Sequence, residues 1–189
     1  IEIGTNKFGE IAELSNIVRP NAAIITSIGE SHLEFLESTV GVAKEKSGLF
    51  EGMKPGSRVI IPNSLMHKEL VKHFAEKYKI SVTESKTFSK EIEPGKNKFH
   101  LFEREFETNL ENPLLINNLI LALTLLYLEG VSLSDLQLAS TSIDLTVKSR
   151  FQKIVMGDWI LIDDSYNANP ASFKCALENL EKLYPERRK

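Results

Sequence analysis

Residues 22–28 read AAIITSI, a continuous strand-like run in which apolar side chains do not alternate with polar ones. A strand with one face in water alternates, so an unbroken run needs cover on both faces, and a parallel sheet flanked by crossover helices supplies it. The neighbouring sequence has the period that such helices need. FGEIAELSNIV (8–18) places apolar residues at 8, 11, 14, 17 and 18, and Arg19-Pro20 ends it. A lysine-bearing helix follows the run, Pro55-Gly56 makes a turn, and SRVIIP forms the next strand. SLMHKELVKHFAEKYK (64–79) is again amphipathic, with ISVT as a strand after it. Strands alternating with helices define an α/β fold, here a mostly parallel sheet flanked by helices.

The period then changes. KNKFHLFEREFETNLEN (96–112) alternates like a hairpin, which predicts a small antiparallel β patch beside the main sheet. Helices are expected over 113–129 and 132–142. RFQKIVMGDWILIDDSY then gives two strands turning at Gly157-Asp158, and a helix runs from Pro170 to about Leu183. The apolar run LILALTLLYL (119–128) is too short to span a bilayer and reads as a buried helix. A net charge of −3 argues against nucleic acid and polybasic membrane contact. The single cysteine, Cys175, excludes an internal disulfide and a multi-cysteine metal site and fits a reducing compartment.

GVAKEKSGLF (41–50) carries two lysines that cannot share a face. Helical spacing puts Val42, Ala43, Lys46, Leu49 and Phe50 on one stripe and leaves Lys44 on the solvated side. A desolvated lysine loses proton affinity and turns into a neutral nucleophile. The other reading is a snorkelling lysine, its stem packed and its head in water.

Ligands in open α/β sheets sit beyond the carboxyl ends of the strands. After AAIITSI comes GESHLE (29–34), with His32 between two acids, and the opening IEIGTN, read as a strand, carries Glu2. Carboxylate and imidazole form a reasonable donor set for a divalent ion, and a surface loop explains His32 equally well. LIDDSYNANP (161–170) delivers Asp163 and Asp164 at a strand end and crowds Ser165, Tyr166, Asn167 and Asn169 before Pro170. Asn169 could simply cap the helix, but six polar or aromatic residues exceed what a cap needs and suit a ribose and a purine.

IEIGTN, GESHLEFLESTVGVAKEKSGLFEGM, SRFQ and DDSYNANP together resemble the Mur ligases, through most of the chain. DSYNANP and GTNKFGEI resemble the branch that takes D-alanyl-D-alanine as its amine, while EKSGL is similar to a run in folylpolyglutamate synthases. The resemblance implies an ATP-dependent amide ligase of bacterial cell-wall peptidoglycan synthesis, cytoplasmic and monomeric. It would join D-alanyl-D-alanine to UDP-N-acetylmuramoyl-tripeptide through an acyl phosphate, with ATP and Mg2+. By motif, Glu2, His32 and Lys46 would be the magnesium ligands, with Lys46 carbamylated and His32 also catalytic; Lys44 is the alternative carbamate site. A carbamate gives Lys46 carboxylate-like oxygens, and its formation needs the neutral amine that the apolar stripe favours. Asn118 would meet adenine, Arg150 phosphate and Asp164 ribose, with Tyr166 and Asn167 lining the same pocket. Relatives carry a His-Asn pair where this chain has Leu114 and Leu115, a departure that touches the adenine contact.

The resemblance also implies that residues 1–184 form part of a central ATP-binding domain and that 185–189 begin a linker. The glycine-rich phosphate loop is expected upstream, the uridine-nucleotide and dipeptide domains on either side, and the 189 residues alone are expected to be inactive. The alternatives are a folylpolyglutamate synthase-like ligase and a non-catalytic nucleotide-binding module.

Overall fold

The computed structural model describes residues 1–86, 97–143, 148–166 and 170–186. The chain divides into two compact units: Ile1–Thr87 with Ile120–Val131, and Phe88–Leu119 with Ser132–Lys189.

The first unit is built on a three-stranded parallel sheet, β1 (Ala22–Ile24), β2 (Arg58–Pro62) and β3 (Ser81–Ser85), in that order. The register pairs Ala23 with Val59 and Ile60 with Thr83. The central strand is the most apolar, and its Val59, Ile60 and Ile61 are wholly buried, whereas β1, where cover on both faces was expected, is only half-buried. Helices α1 (Glu10–Val18), α2 (Leu33–Leu36), α3 (Thr39–Ser47) and α4 (Lys68–Lys77) complete the unit, with a 3-10 turn over Gly48–Gly52. From Ile120 onward, helix α5 (Pro113–Leu128) also belongs here. Its Thr124 hydroxyl bonds Ser85 at 2.7 Å, and its last carbonyl, on Leu128, accepts from the Arg58 guanidinium at 2.6 Å. The core joins Ile11, Ile25, Leu36, Val42, Phe50 and Val71 with their neighbours.

Three expectations shift here. The opening residues form no strand, although Ile3 packs against the core. β1 stops at Ile24 rather than running to 28. Ile25 still donates to the Ile60 carbonyl, but two residues later the Ser27 carbonyl accepts from a side chain and leaves the ladder. α1 buries Ile11 and Ser15 and exposes Leu14 and Ile17, and Phe8 just before it is exposed too, so most of the predicted apolar stripe is not the buried face. The cause is close approach of backbones. A Cβ on Gly52 would lie 2.1 Å from the Ser15 carbonyl oxygen, and one on Gly48 would lie 3.2 Å from the Ala12 nitrogen. Small residues meeting small residues set this interface.

The second unit contains the predicted hairpin, β4 (Asn97–Leu101) and β5 (Arg104–Thr108), antiparallel and with Phe99 stacked on Phe106 at 5.6 Å. Helix α6 (Leu133–Ser142) lies on β5: Gln137 donates to the Glu105 carbonyl at 2.7 Å and Ser140 to that of Glu107 at 2.8 Å. Its N-terminus is capped by Ser132, which accepts from the Asp135 amide. A second antiparallel pair, β6 (Gln152–Met156) and β7 (Trp159–Asp163), turns where expected at Gly157, whose φ of 58° lies in the left-handed region open to glycine. Helix α7 (Pro170–Leu183) follows and buries Asn179 and Leu183.

No helix among the described residues is long and apolar enough to cross a membrane.

Candidate functional site

Ser38 starts α3: its extended backbone turns the chain and its side chain accepts from the Gly41 amide at 3.1 Å. The helix buries Val42 and Ala43, and the following 3-10 turn buries Leu49 and Phe50. Lys44 is exposed and Lys46 half-buried on the packed side, the arrangement that helical spacing predicts. The Lys46 amine donates to the Ser27 carbonyl at 2.7 Å, just past the carboxyl end of β1. Its partner is a neutral carbonyl, not a carboxylate. Burial pushes the Lys46 amine below the usual lysine range, because loss of water penalises the ammonium.

The neighbouring side chain was not foreseen. Glu45 is buried at 4% exposure. One carboxylate oxygen accepts from the Gly9 amide at 2.7 Å; the other accepts from the Ile11 amide at 2.9 Å and the Thr5 hydroxyl at 3.0 Å. The two amides belong to the start of α1, where helix N–H groups lack intrahelical partners. Glu10 completes the arrangement: it accepts from the Asn6 and Lys7 amides, which hold its carboxyl below the usual range. The motif GTNKFGEI is thus a turn folded around two carboxylates. The available signal was spacing, since Val42, Glu45 and Leu49 share a helix face.

Glu2 is exposed. His32 is exposed too, with φ of 53°, at the start of the four-residue α2, and it makes no side-chain cap. Among the described residues, no three His, Cys, Asp or Glu side chains gather to hold a metal ion. The set Glu2, His32 and Lys46 includes an amine, which offers a cation nothing while protonated. Its chemistry fits a hard divalent ion once the amine is carboxylated, and the desolvated position of Lys46 favours the neutral amine which that step needs.

The nucleotide set falls in the second unit. Arg150 stacks on Tyr166, its guanidinium carbon 4.3 Å from the ring centroid. The Tyr166 amide donates to the Ser149 carbonyl at 2.9 Å, and Asp164 accepts from the Phe151 amide at 2.8 Å. Asp163 accepts from the hydroxyls of Ser165 at 2.6 Å and Ser149 at 3.0 Å, which hold its carboxyl below the usual range. Residues 148–151 and 163–166 are therefore laced together, bringing Arg150, Asp164 and Tyr166 into one neighbourhood. Asn118 is exposed on α5, and Asn167 lies outside the described residues.

Two clefts border this lacing. One, of about 440 Å³, is lined by Arg150, Lys153, Glu111, Leu115 and Tyr184 among others. Another, of about 410 Å³, is lined by Asp164, Phe173 and Leu177 among others. Leu115 lies in the wall of the first, among Asn109, Asn112 and Gln152. Lys153, missed in the sequence, lies over Tyr184 at 5.5 Å and 3.7 Å from Glu111.

A parallel sheet with helices and a half-buried lysine at a strand end, and a second unit of antiparallel pairs carrying an Arg/Asp/Tyr cluster, define an α/β class, and comparison fixes the family. The chain belongs to the Mur ligases: residues 1–126 match the Mur ligase middle domain. It is 30% identical over 202 residues to the UDP-N-acetylmuramoyl-tripeptide–D-alanyl-D-alanine ligase of Buchnera aphidicola, covering 97% of this chain and 43% of that protein. It is also 30% identical over 189 residues to the Haemophilus influenzae enzyme of the same name, covering 96% and 41%. Crystal structure I of MurF from Acinetobacter baumannii superposes with a TM-score of 0.87 at 25% identity, over 97% of this chain and 42% of that one. MurF from Thermotoga maritima, solved with ADP, shares the fold at a TM-score of 0.77 and 20% identity, over 96% and 44%. The chain thus spans about two fifths of the length of the curated relatives that it matches.

Proposed function

We propose that the protein carrying this sequence is the ATP-dependent ligase that joins D-alanyl-D-alanine to UDP-N-acetylmuramoyl-tripeptide in cytoplasmic peptidoglycan synthesis. The names of the relatives support that choice of substrates, and the carrying observation is the half-buried Lys46 amine held on the Ser27 carbonyl. Residues 1–184 are read as part of the central ATP-handling region.

In this reaction the tripeptide carboxylate takes the γ-phosphoryl group of ATP and releases ADP. The amine of D-alanyl-D-alanine then attacks the acyl phosphate, the C–O bond to phosphate breaks, inorganic phosphate leaves, and the nitrogen loses a proton as the amide forms. Glu2, His32 and carbamylated Lys46 are the residues assigned to magnesium, which when bound offsets charge on the phosphate oxygens. The carbamate forms by attack of the neutral Lys46 amine on carbon dioxide with loss of one proton, and burial maintains the population of that amine. Arg150, held against Tyr166, offers its guanidinium to phosphate. Asp164 has one oxygen engaged by the Phe151 amide, and the second is assigned to a ribose hydroxyl. Asn118 and Asn167 are assigned to the adenine side of the pocket.

The test is ADP release and mass-spectrometric detection of the ligated product by the full-length protein, with ATP, magnesium, UDP-N-acetylmuramoyl-tripeptide and D-alanyl-D-alanine. Lys46→Ala is expected to lower the rate by roughly a hundredfold or more, on the scale of losing one preorganised charge in a site. Short carboxylic acids should restore part of it. Turnover with a folate and glutamate instead of the cell-wall substrates would replace this reading with the folylpolyglutamate one.

A further inference from the structure

Among the described residues, Glu45 is the buried charged residue for which the reaction assigns no role. It caps the amides at the start of α1, but seating that helix does not need it. α1 is already held against the 3-10 turn by the Ser15 hydroxyl on the Leu49 carbonyl, at 2.5 Å, and by the close approach of Gly48 and Gly52. A neutral acceptor would suffice for that capping, and the helix contact is otherwise secured. What Glu45 adds is directional: its three donors come from residues 5, 9 and 11, so it grips the turn that follows Glu2, while its own helix presents Lys46 one residue later. Successive helix residues point about 100° apart. Glu45 therefore faces α1, while Lys46 faces the end of β1.

From this we infer that Glu45 is a positioning residue: by accepting from Thr5, Gly9 and Ile11 it locks the segment bearing Glu2 to the helix bearing Lys46, so that a carboxylate and a carbamate from distant parts of the chain can serve one cation. The inference rests on the site reading above. Carboxylates that orient metal ligands from behind commonly have this effect on affinity.

The test uses the full-length protein and a readout besides turnover. The carbamate is labelled from 13C-bicarbonate, and its resonance is followed while Mn2+ is added to Glu45→Ala, Glu45→Gln and the unsubstituted protein. Circular dichroism reports folding, and rates are measured in parallel. The carbamate resonance should persist in both variants, because the contact of Lys46 with Ser27 is untouched. The Mn2+ concentration that broadens it by half should rise by roughly 10- to 100-fold in Glu45→Ala and by less in Glu45→Gln, which keeps one acceptor oxygen. kcat should fall while KM for ATP holds, since the nucleotide residues belong to the other unit. Thr5→Val removes one donor and leaves both backbone donors, so it should shift the midpoint modestly in the same direction. A folded Glu45→Ala with an unchanged Mn2+ midpoint overturns the inference, as does an unchanged midpoint in Thr5→Val if the Glu45 variants do not fold. Absence of any Lys46 carbamate in the unsubstituted protein would instead overturn the site reading itself.

Discussion

Gly52→Ala puts a methyl group where the structure has none to spare. The new Cβ would lie 2.1 Å from the carbonyl oxygen of Ser15, 2.2 Å from its carbonyl carbon and 2.5 Å from its hydroxyl. Ordinary contact starts near 3.4 Å, so α1 must move by about an ångström. Overpacking of this kind costs about 1–3 kcal/mol. The move also pulls the Ser15 hydroxyl from the Leu49 carbonyl, a buried bond whose loss adds about 1–3 kcal/mol. A total near 3 kcal/mol is a large share of a total stability of about 5–15 kcal/mol. At about 2–4 °C per kcal/mol for a chain of this length, the thermal midpoint should fall by roughly 6–12 °C. Thermal circular dichroism on the 189-residue chain reads this directly. The double variant with Ser15→Ala sharpens it: because the nearest atoms are backbone, removing the hydroxyl should not restore the midpoint. A Gly52→Ala midpoint unchanged within error, or full rescue by Ser15→Ala, would refute the backbone-contact account of how α1 is seated.

His32→Ala should raise the magnesium concentration needed for half-maximal rate in the full-length protein while leaving the affinity for the uridine substrate in place; an unchanged requirement would leave His32 a loop residue. Arg150→Ala should raise KM for ATP by roughly tenfold or more through loss of a charge-assisted phosphate contact, and Tyr166→Leu should have a smaller effect by releasing the stacked guanidinium, both read by steady-state kinetics. Glu84 accepts from Lys72 and, at 2.9 Å, from Lys68, and these bonds hold its carboxyl below the usual glutamate range. Its stabilising effect is therefore fully present above the usual glutamate range and fades as pH falls through the lowered one. Glu84→Gln should lose stability near neutrality and show a flatter acid limb in pH-dependent melting; an acid limb like that of the unsubstituted chain would refute this.

The parallel strands were legible because a central strand covered on both faces cannot hide its composition, and RVIIP is almost wholly buried. The lysine register was legible for a similar reason: a helix repeats every 3.6 residues, so only one of two lysines spaced two apart could turn inward. α1 was misread because Leu14 and Ile17 made an apolar stripe, whereas the buried face was chosen by Gly48 and Gly52, more than thirty residues away, which admit only Ala12 and Ser15 at that distance. Glu45 escaped for the same reason. Its donors lie 34 to 40 residues away, and nothing local marks a glutamate as buried. Asp164 and Tyr166 were legible as residue types at a strand end and Arg150 only through the family resemblance, while the lacing that joins them runs through backbone amides and one stacked ring that side-chain order does not mark.

Three glycines fix where α3 and its 3-10 extension sit along the chain: Gly41 against the Leu36 carbonyl oxygen, Gly48 against Ala12 and Gly52 against Ser15. A helix pinned at three points cannot slide. Changes of side chain between those points are local events, but adding or removing one residue would turn everything beyond it by about 100° and carry Lys46 off the Ser27 carbonyl while breaking the remaining fits. The stretch from 41 to 52 can therefore diverge in letters but not in length, and a family descended through it should record point substitutions there and exclude insertions and deletions.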